Sequence, residues 1–311
     1  MRIYLTGSTG LLGSHILKEG LERGHHFVCP VRKINKRCFL HEVRNQVTII
    51  EGDLLQENID LKEIDTIINC AALASPFEED SHAMEEINFK FVKKIYKSFL
   101  SSKANTFIQI SSIATMNNGD EDFVINEERK GNCRETNYAK SKKNADDWLD
   151  SNLESDIDEK RTIIIHPCYM LGNYDSRPSS GAILFALKLN KISKYTKNIK
   201  NFVHAKDVAR GILMAMEKKS HGHYILGGEN LSLKDFFEYT LKSLNIEKIL
   251  NLADPSGLNN IEKEFCLSSP VSCEKSEKDF NYKAEYDVKE MLNDTISYFE
   301  SKKMLRVKKN G

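Results

Sequence analysis

Short apolar runs rich in β-branched residues recur through the first half of the chain, at 3–6, 27–31, 47–50, 66–70, 107–111 and 162–165. Between them lie stretches with helical spacing, at 11–23 and closed by Gly24, then at 82–100 and 136–153. Strands alternating with helices in this way predict an α/β fold with a doubly wound parallel sheet. Beyond Pro167 the order loosens. A loop holding Gly172, Pro178 and Gly181 precedes a helix near 183–189, and residues 201–204 lead to Asp207, expected to cap a helix over 208–217. A strand at 223–226 and helices at 233–244 and 288–299 follow, with 254–260 read as a loop. The pattern therefore predicts a smaller, less regular C-terminal lobe placed against the sheet, with no internal repeat and no low-complexity segment.

Composition narrows the class. At 311 residues, with 40% apolar and 29% charged, the chain suits one large α/β domain or two intimate ones and excludes disordered and fibrous classes. Lys+Arg and Asp+Glu are 45 each, so a general electrostatic grip on nucleic acid has no support. The seven cysteines are scattered singly, without a C-x-x-C pair, and neither a zinc site nor a disulfide framework is expected. The chain enters its first strand without a charged-then-apolar leader, and no apolar run reaches membrane-spanning length. A soluble, cytoplasmic protein with reduced thiols is the expectation.

Thr6-Gly7-Ser8-Thr9-Gly10-Leu11-Leu12-Gly13 follows the first strand directly and opens the first helix. Glycine permits the tight turn and close backbone approach to a pyrophosphate, and the helix N-terminus adds partial positive charge. In this strand-before, helix-after context the segment reads as a dinucleotide-binding loop. The second strand ends in Cys29-Pro30-Val31-Arg32-Lys33, with Lys36 and Arg37 following and no carboxylate to accept from the ribose hydroxyls. Arg32 suits a ribose 2′-phosphate, which selects NADP(H), with NAD(H) the alternative. After the third strand come Asp53 and Leu54; Asp53 either accepts from an adenine amino group or closes a turn. Cys70, Ala71 and Ala72 end the fourth strand with small residues, which lets cofactor lie against backbone or simply packs tightly.

Tyr138 and Lys142 are four apart in a helical stretch and project from one face. A phenol ionises at about pH 10 in water; a neighbouring ammonium and the positive ring of an oxidised nicotinamide both favour phenolate. Tyr138 would then exchange a proton with a substrate oxygen while hydride moves. Tyr298 and Lys302 share the interval but read as an exposed helix end. The fifth strand ends in Ser111-Ser112 at the sheet edge where ligands of open α/β sheets bind, so Ser112 is assigned to hold the substrate oxygen, with Ser111 its rival.

Together Thr6-Gly7-x-x-Gly10-x-x-Gly13, Ser111-Ser112, Tyr138-x-x-x-Lys142 and Asn201-Phe-Val-His-x-x-Asp-Val-Ala209 resemble the extended short-chain dehydrogenases/reductases, the NAD-dependent epimerase/dehydratase family, over residues 1 to about 300. The chain is most similar to the dihydroflavonol 4-reductase-like branch, including the hopanoid-associated sugar epimerase group, which shares a stretch like Tyr224-Ile-Leu-Gly-Gly-Glu-Asn-Leu231. The resemblance implies a Rossmann-type domain over 1–166, completed by about 201–228, and a mainly substrate-binding lobe over 167–311. It implies Ser112, Tyr138 and Lys142 as catalytic residues, with Lys142 on the nicotinamide ribose, Asn88 near the cofactor, and Pro167, Cys168 and Tyr169 flanking the nicotinamide. It also suggests a homodimer. One departure matters: sugar-nucleotide epimerases usually carry Arg-Asp where this chain has Lys200-Asn201, which favours a smaller or more apolar carbonyl compound over a nucleotide sugar.

The expected activity is NADP(H)-dependent interconversion of a ketone or aldehyde with its alcohol. The alternative is a sugar epimerase or dehydratase that returns the hydride to the same molecule. A dinucleotide sensor would not need Ser112, Tyr138 and Lys142. Lysines at 188, 191, 194, 197 and 200 read as a solvated face, the basic tail 302–309 as a helix C-terminus, and His166 and His204 as structural histidines without metal-ligand spacing. Trp148 and Leu149 read as packing residues, and Cys168 has no signal of a nucleophile.

Overall fold

The computed structural model describes residues 1–34, 36–55, 59–75, 78–116, 123–153 and 160–305. Its first half runs β1 (Arg2–Thr6), α1 (Leu11–Glu22), β2 (His26–Val31), α2 (Phe39–Glu42), β3 (Thr48–Glu51) and β4 (Thr66–Asn69). Then come α3 (Ser81–Glu85), a π-helical turn (Glu86–Lys90), α4 (Phe91–Leu100), β5 (Thr106–Ile110), α5 (Asn137–Leu153) and β6 (Arg161–Pro167). The second half contains β7 (Tyr169–Leu171), α6 (Ala182–Lys188), β8 (Lys194–Tyr195), β9 (Ile199–His204), α7 (Ala205–Glu217), β10 (Gly222–Leu226) and β11 (Glu229–Ser232). It closes with α8 (Leu233–Ser243), β12 (Asn251–Leu252), α9 (Asn260–Cys266), α10 (Glu274–Phe280) and α11 (Val288–Ser301).

Seven parallel strands form one sheet in the order β10-β6-β5-β4-β1-β2-β3, a Rossmann-type α/β fold. The order reverses between β1 and β4, and the crevice at that switch point is where such sheets bind ligands. α1 and α7 cover one face through Ile16, Leu17, Val208 and Ile212; α4 and α5 cover the other through Tyr96, Phe99 and Leu149. The C-terminal lobe has a core of its own around Phe202, Phe236, Phe237 and Phe265, with Phe202 and Phe236 stacked at 4.1 Å. Arg134, in the loop before α5, bridges the halves by donating to the carbonyls of Glu264, at 2.7 Å, and Leu267.

All six strands expected in the first half are present within a residue or two of the pattern. The 82–100 stretch is broken by the π-helical turn, and β7, β8, β11 and β12 are too short to show any periodicity. Four other expectations need correction. Asp207 lies inside α7, where its carboxylate accepts from the amides of Glu285 and Tyr286 at 3.1 Å; the cap is His204, whose Nδ1 accepts from Lys206 N at 2.9 Å. The imidazole of the preceding residue reaches the helix start first. Tyr298 is buried, not an exposed end, because its hydroxyl donates to the Arg37 carbonyl at 2.6 Å. Within 254–260, residues Pro255–Gly257 form a 3-10 turn and Asn260 begins α9. Lys200 leaves the solvated lysine face and is buried. The tail beyond residue 305 lies outside the described residues, and no helix among the described residues is long and apolar enough to cross a membrane.

Candidate active site

The glycine loop sits at the switch point. Gly7 has φ +70°, and a Cβ there would lie 2.6 Å from the Cys70 carbonyl carbon; one on Gly13 would lie 2.2 Å from the Gly7 carbonyl oxygen. Only glycine allows β1, α1 and the end of β4 to approach this closely. Gly10 begins α1 without a side-chain cap, and the first turn carries no acid, so the amides of Leu11 and Leu12 keep their positive field for an anion. Ser8 is buried and Thr9 half-buried beside them. This cradle fits a pyrophosphate.

Arg32 stands exposed at the end of β2, and no carboxylate pairs with it among the described residues. One oxygen of Asp53 accepts from Leu55 N at 3.1 Å, closing a turn, and the Leu54 carbonyl lies 3.4 Å from the Lys94 ammonium. Ala71 N donates to Thr6 Oγ1 at 3.0 Å, Ala72 is exposed, and burial pushes the Cys70 thiol up to about 12. At the end of β6, Pro167 is buried and Cys168 N donates to the Leu226 carbonyl at 3.0 Å; burial holds that thiol well above its usual range.

The Thr136 hydroxyl accepts from Ala139 N at 3.2 Å where α5 begins, and Tyr138 and Lys142 then project one turn apart. Lys142 is 2% exposed and donates to the Ile110 carbonyl at 2.8 Å; burial pushes its ammonium down to about 8, with Asp146 opposing. Tyr138 is half-buried with its hydroxyl inward, hydrogen-bonded to the Ser112 side chain. The Ser112 hydroxyl also accepts from Ala114 N at 3.2 Å, whereas the Ser111 hydroxyl donates to Asp146 Oδ2 at 2.5 Å. Geometry thus brings Ser112, and not Ser111, to the phenol. The expected acidic phenol is absent from the protein on its own: burial pushes Tyr138 up to about 12, and Ser112 only partly opposes this. Burial dominates, and the Lys142 ammonium one turn on is engaged by the Ile110 carbonyl.

Two supporting residues, Asn69 and Gln109, escaped the sequence reading. Thr6 Oγ1 donates to Asn69 Oδ1 at 2.6 Å, Asn69 Nδ2 to Gln109 Oε1 at 2.8 Å, and Gln109 Nε2 to the same Ile110 carbonyl at 3.0 Å. This buried ladder ties the glycine loop to Lys142, and two polar residues inside apolar strands were its signal. Asn88, in the π-helical turn, accepts from Leu73 N at 2.8 Å and donates to the Leu73 carbonyl at 2.8 Å and to Ser141 Oγ at 3.0 Å. Its amide clamps the segment after β4 to α5.

In the C-terminal lobe Lys200 donates to the Phe265 carbonyl at 2.9 Å and lies over the rings of Tyr169 and Phe265 at 4.9 and 4.8 Å. Burial, then the Arg134 charge, push it down to about 7. Asn201 holds the glycine turn after β10, accepting from Gly228 N at 2.8 Å and donating to Asn230 Oδ1 at 3.0 Å. Both side chains at the departure from the epimerase pattern are therefore engaged by the protein itself.

A family model described as NAD dependent epimerase/dehydratase matches residues 3–227. The putative dihydroflavonol 4-reductase of Synechocystis sp. is 22% identical over 248 residues, 74% of this chain and 69% of that protein. Cinnamoyl-CoA reductase 2 of Medicago truncatula is 27% identical over 245 residues, 72% and 70% of the two chains. The solved structure of UDP-glucuronic acid 4-epimerase from Bacillus cereus in complex with NAD superposes with TM-score 0.79 at 17% identity over 97% of each chain, a likeness of fold.

Proposed function

The chain belongs to the NAD dependent epimerase/dehydratase family and is an NAD(P)-dependent enzyme, and from that premise we propose that it is an NADP(H)-dependent reductase of a ketone or aldehyde, working in either direction. The observation that carries the choice over a nucleotide-sugar epimerase is Lys200. Its ammonium closes the C-terminal end of α9 beside two rings, and the neighbouring Arg134 is engaged by the carbonyls of Glu264 and Leu267 instead of presenting its fork to a diphosphate. The similar proteins named as reductases support the same reading.

In this reading residues 1–166, with α7 and β10, hold the dinucleotide, and the rest forms the substrate lobe. Gly7–Gly13, with Ser8, Thr9 and the amides of Leu11 and Leu12, takes the pyrophosphate; exposed Arg32 takes a 2′-phosphate, the basis for NADP(H) over NAD(H). Asp53 and Leu54 border the adenine, Cys70, Ala71 and Ala72 let the cofactor lie against backbone, and Pro167 and Cys168 flank the nicotinamide, while Asn88 keeps the segment after β4 in place. The bound nicotinamide supplies the hydride. Ser112 donates a hydrogen bond to the carbonyl oxygen, Tyr138 gives that oxygen its proton, and Lys142 holds the ribose and offsets negative charge on the phenol.

The test is a panel of aldehydes, ketones and nucleotide sugars followed by NADPH absorbance, with Tyr138→Phe as control. Oxidation of NADPH by a carbonyl compound, lost by at least ~10²-fold in the variant while NADPH still binds, is the expected result. A protein purified with stoichiometric, non-exchanging NAD that interconverts nucleotide sugars would sink the proposal.

A further inference from the structure

Tyr138 and Lys142 are the first two of four residues spaced one turn apart on α5; the others are Asp146 and Asp150. Asp146 is 3% exposed, and although Oδ2 accepts from Ser111, its Oδ1 is buried without a hydrogen-bond partner. Such an oxygen is costly on a carboxylate and much less so on a carboxylic acid. Burial pushes this carboxyl up to about 6. His166 Nδ1 lies 3.3 Å from the Ser112 carbonyl and from the Thr115 hydroxyl and 4.0 Å from Asp146 Oδ2, and a cavity of about 20 Å³, room for one water, is lined by Asp146, Thr115, His166 and His223. His166 Nε2 is 2.8 Å from His223 Nδ1, with the rings stacked at 5.1 Å, and His223 Nε2 is 2.6 Å from Asp150 Oδ1, an exposed carboxylate. Lys130 and Lys143 border the same space and Lys275 donates to the His223 carbonyl; burial first, then His223 and the Lys130 and Lys143 charges, hold His166 neutral. A neutral imidazole that donates through one nitrogen and accepts through the other passes a proton along.

We propose that Asp150, His223 and His166 form a proton path from solvent to Asp146, which reloads Tyr138 by way of Lys142. The inference rests on the reductase reading: carbonyl reduction consumes one proton per turnover, whereas an epimerase returns the proton it takes. In each cycle Tyr138 gives its hydroxyl proton to the substrate oxygen, Lys142 restores the phenol, Asp146 restores the ammonium, and one proton enters at Asp150. No electrons move along the path.

Two arms test it. With a carbonyl that the wild type reduces, His223→Phe, which keeps the stacked ring, lowers kcat at pH 8 by about tenfold and Asp150→Asn by about threefold. The KM for NADPH stays unchanged, and added imidazole restores most of the lost rate. In the free protein the Asp146 carboxyl, followed by 13C NMR, ionises at about pH 6, and its midpoint rises in His223→Phe, where the ring that lowers it is gone. Turnover of both variants equal to wild type from pH 6 to 9, or an Asp146 midpoint unchanged by His223→Phe, overturns the path and leaves structural histidines. If no carbonyl is reduced at all, the reductase reading falls, and the NMR arm alone decides whether Asp146 and His223 exchange protons.

Discussion

Lys142 and Lys200 are one side chain placed in two halves of the molecule, both buried and both donating to a backbone carbonyl, Ile110 and Phe265 respectively. Their surroundings differ. Lys142 has Asp146 one turn further on, which opposes the cost of burial, and Tyr138 one turn back. Around Lys200 Arg134 adds a like charge, the carboxylate that opposes the shift, Glu264, acts more weakly than the Cys266 and Cys168 thiols, and two ring faces and the last carbonyls of α9 add their part. A buried cation beside titratable partners is equipped to trade protons, whereas one set among rings and carbonyls closes a helix.

Replacing each cation in turn would break or sharpen that contrast. Lys142→Met is expected to lower kcat/KM by at least ~10²-fold without lowering the melting temperature, because removing a buried charge into a fitting apolar side chain is close to neutral. A variant that kept wild-type turnover would put Lys142 in the same class as Lys200. Arg32→Glu comes next in size. It is expected to weaken NADPH binding by roughly 10–100-fold and leave NADH nearly unchanged, read by fluorescence titration. Equal losses for both dinucleotides would deny Arg32 its proposed partner.

Lys200→Met should have the smallest effect on turnover, within about threefold, and its signature is the pH dependence of stability. In the folded chain the ammonium is pushed down to about 7 from an unfolded value near ~10.4. Between those values the unfolded chain binds more protons, so wild-type stability rises with pH across that window. The stability of Lys200→Met relative to wild type is therefore highest below pH 7 and declines toward pH 10, by a few degrees in melting temperature. A flat difference across that range would show that Lys200 keeps its proton in the fold.

Much of the front half was legible because its signals are local. β1 and the Gly7–Gly13 turn are neighbours in sequence, and Tyr138 and Lys142 face one way because of helical geometry alone. The back half was harder. Asn251–Leu252 and Lys194–Tyr195 are strands only because they pair with each other, and no two-residue run has a period to detect. His204 was separated from Asp207 as the cap by side-chain reach, which spacing does not report.

From its residues alone this protein fixed a parallel sheet, a tight glycine turn between β1 and α1, and a phenol and an amine on one helical face, since each follows from short-range backbone geometry. Tertiary structure decided between Ser111 and Ser112, aimed the Lys142 ammonium at Ile110, sealed Lys200 between rings, and lined up Asp146, His166 and His223 from α5, β6 and β10. Those outcomes depend on which groups lose water together and which partner each then finds. Residues far apart in the chain settle that question only when the sheet and both lobes have packed.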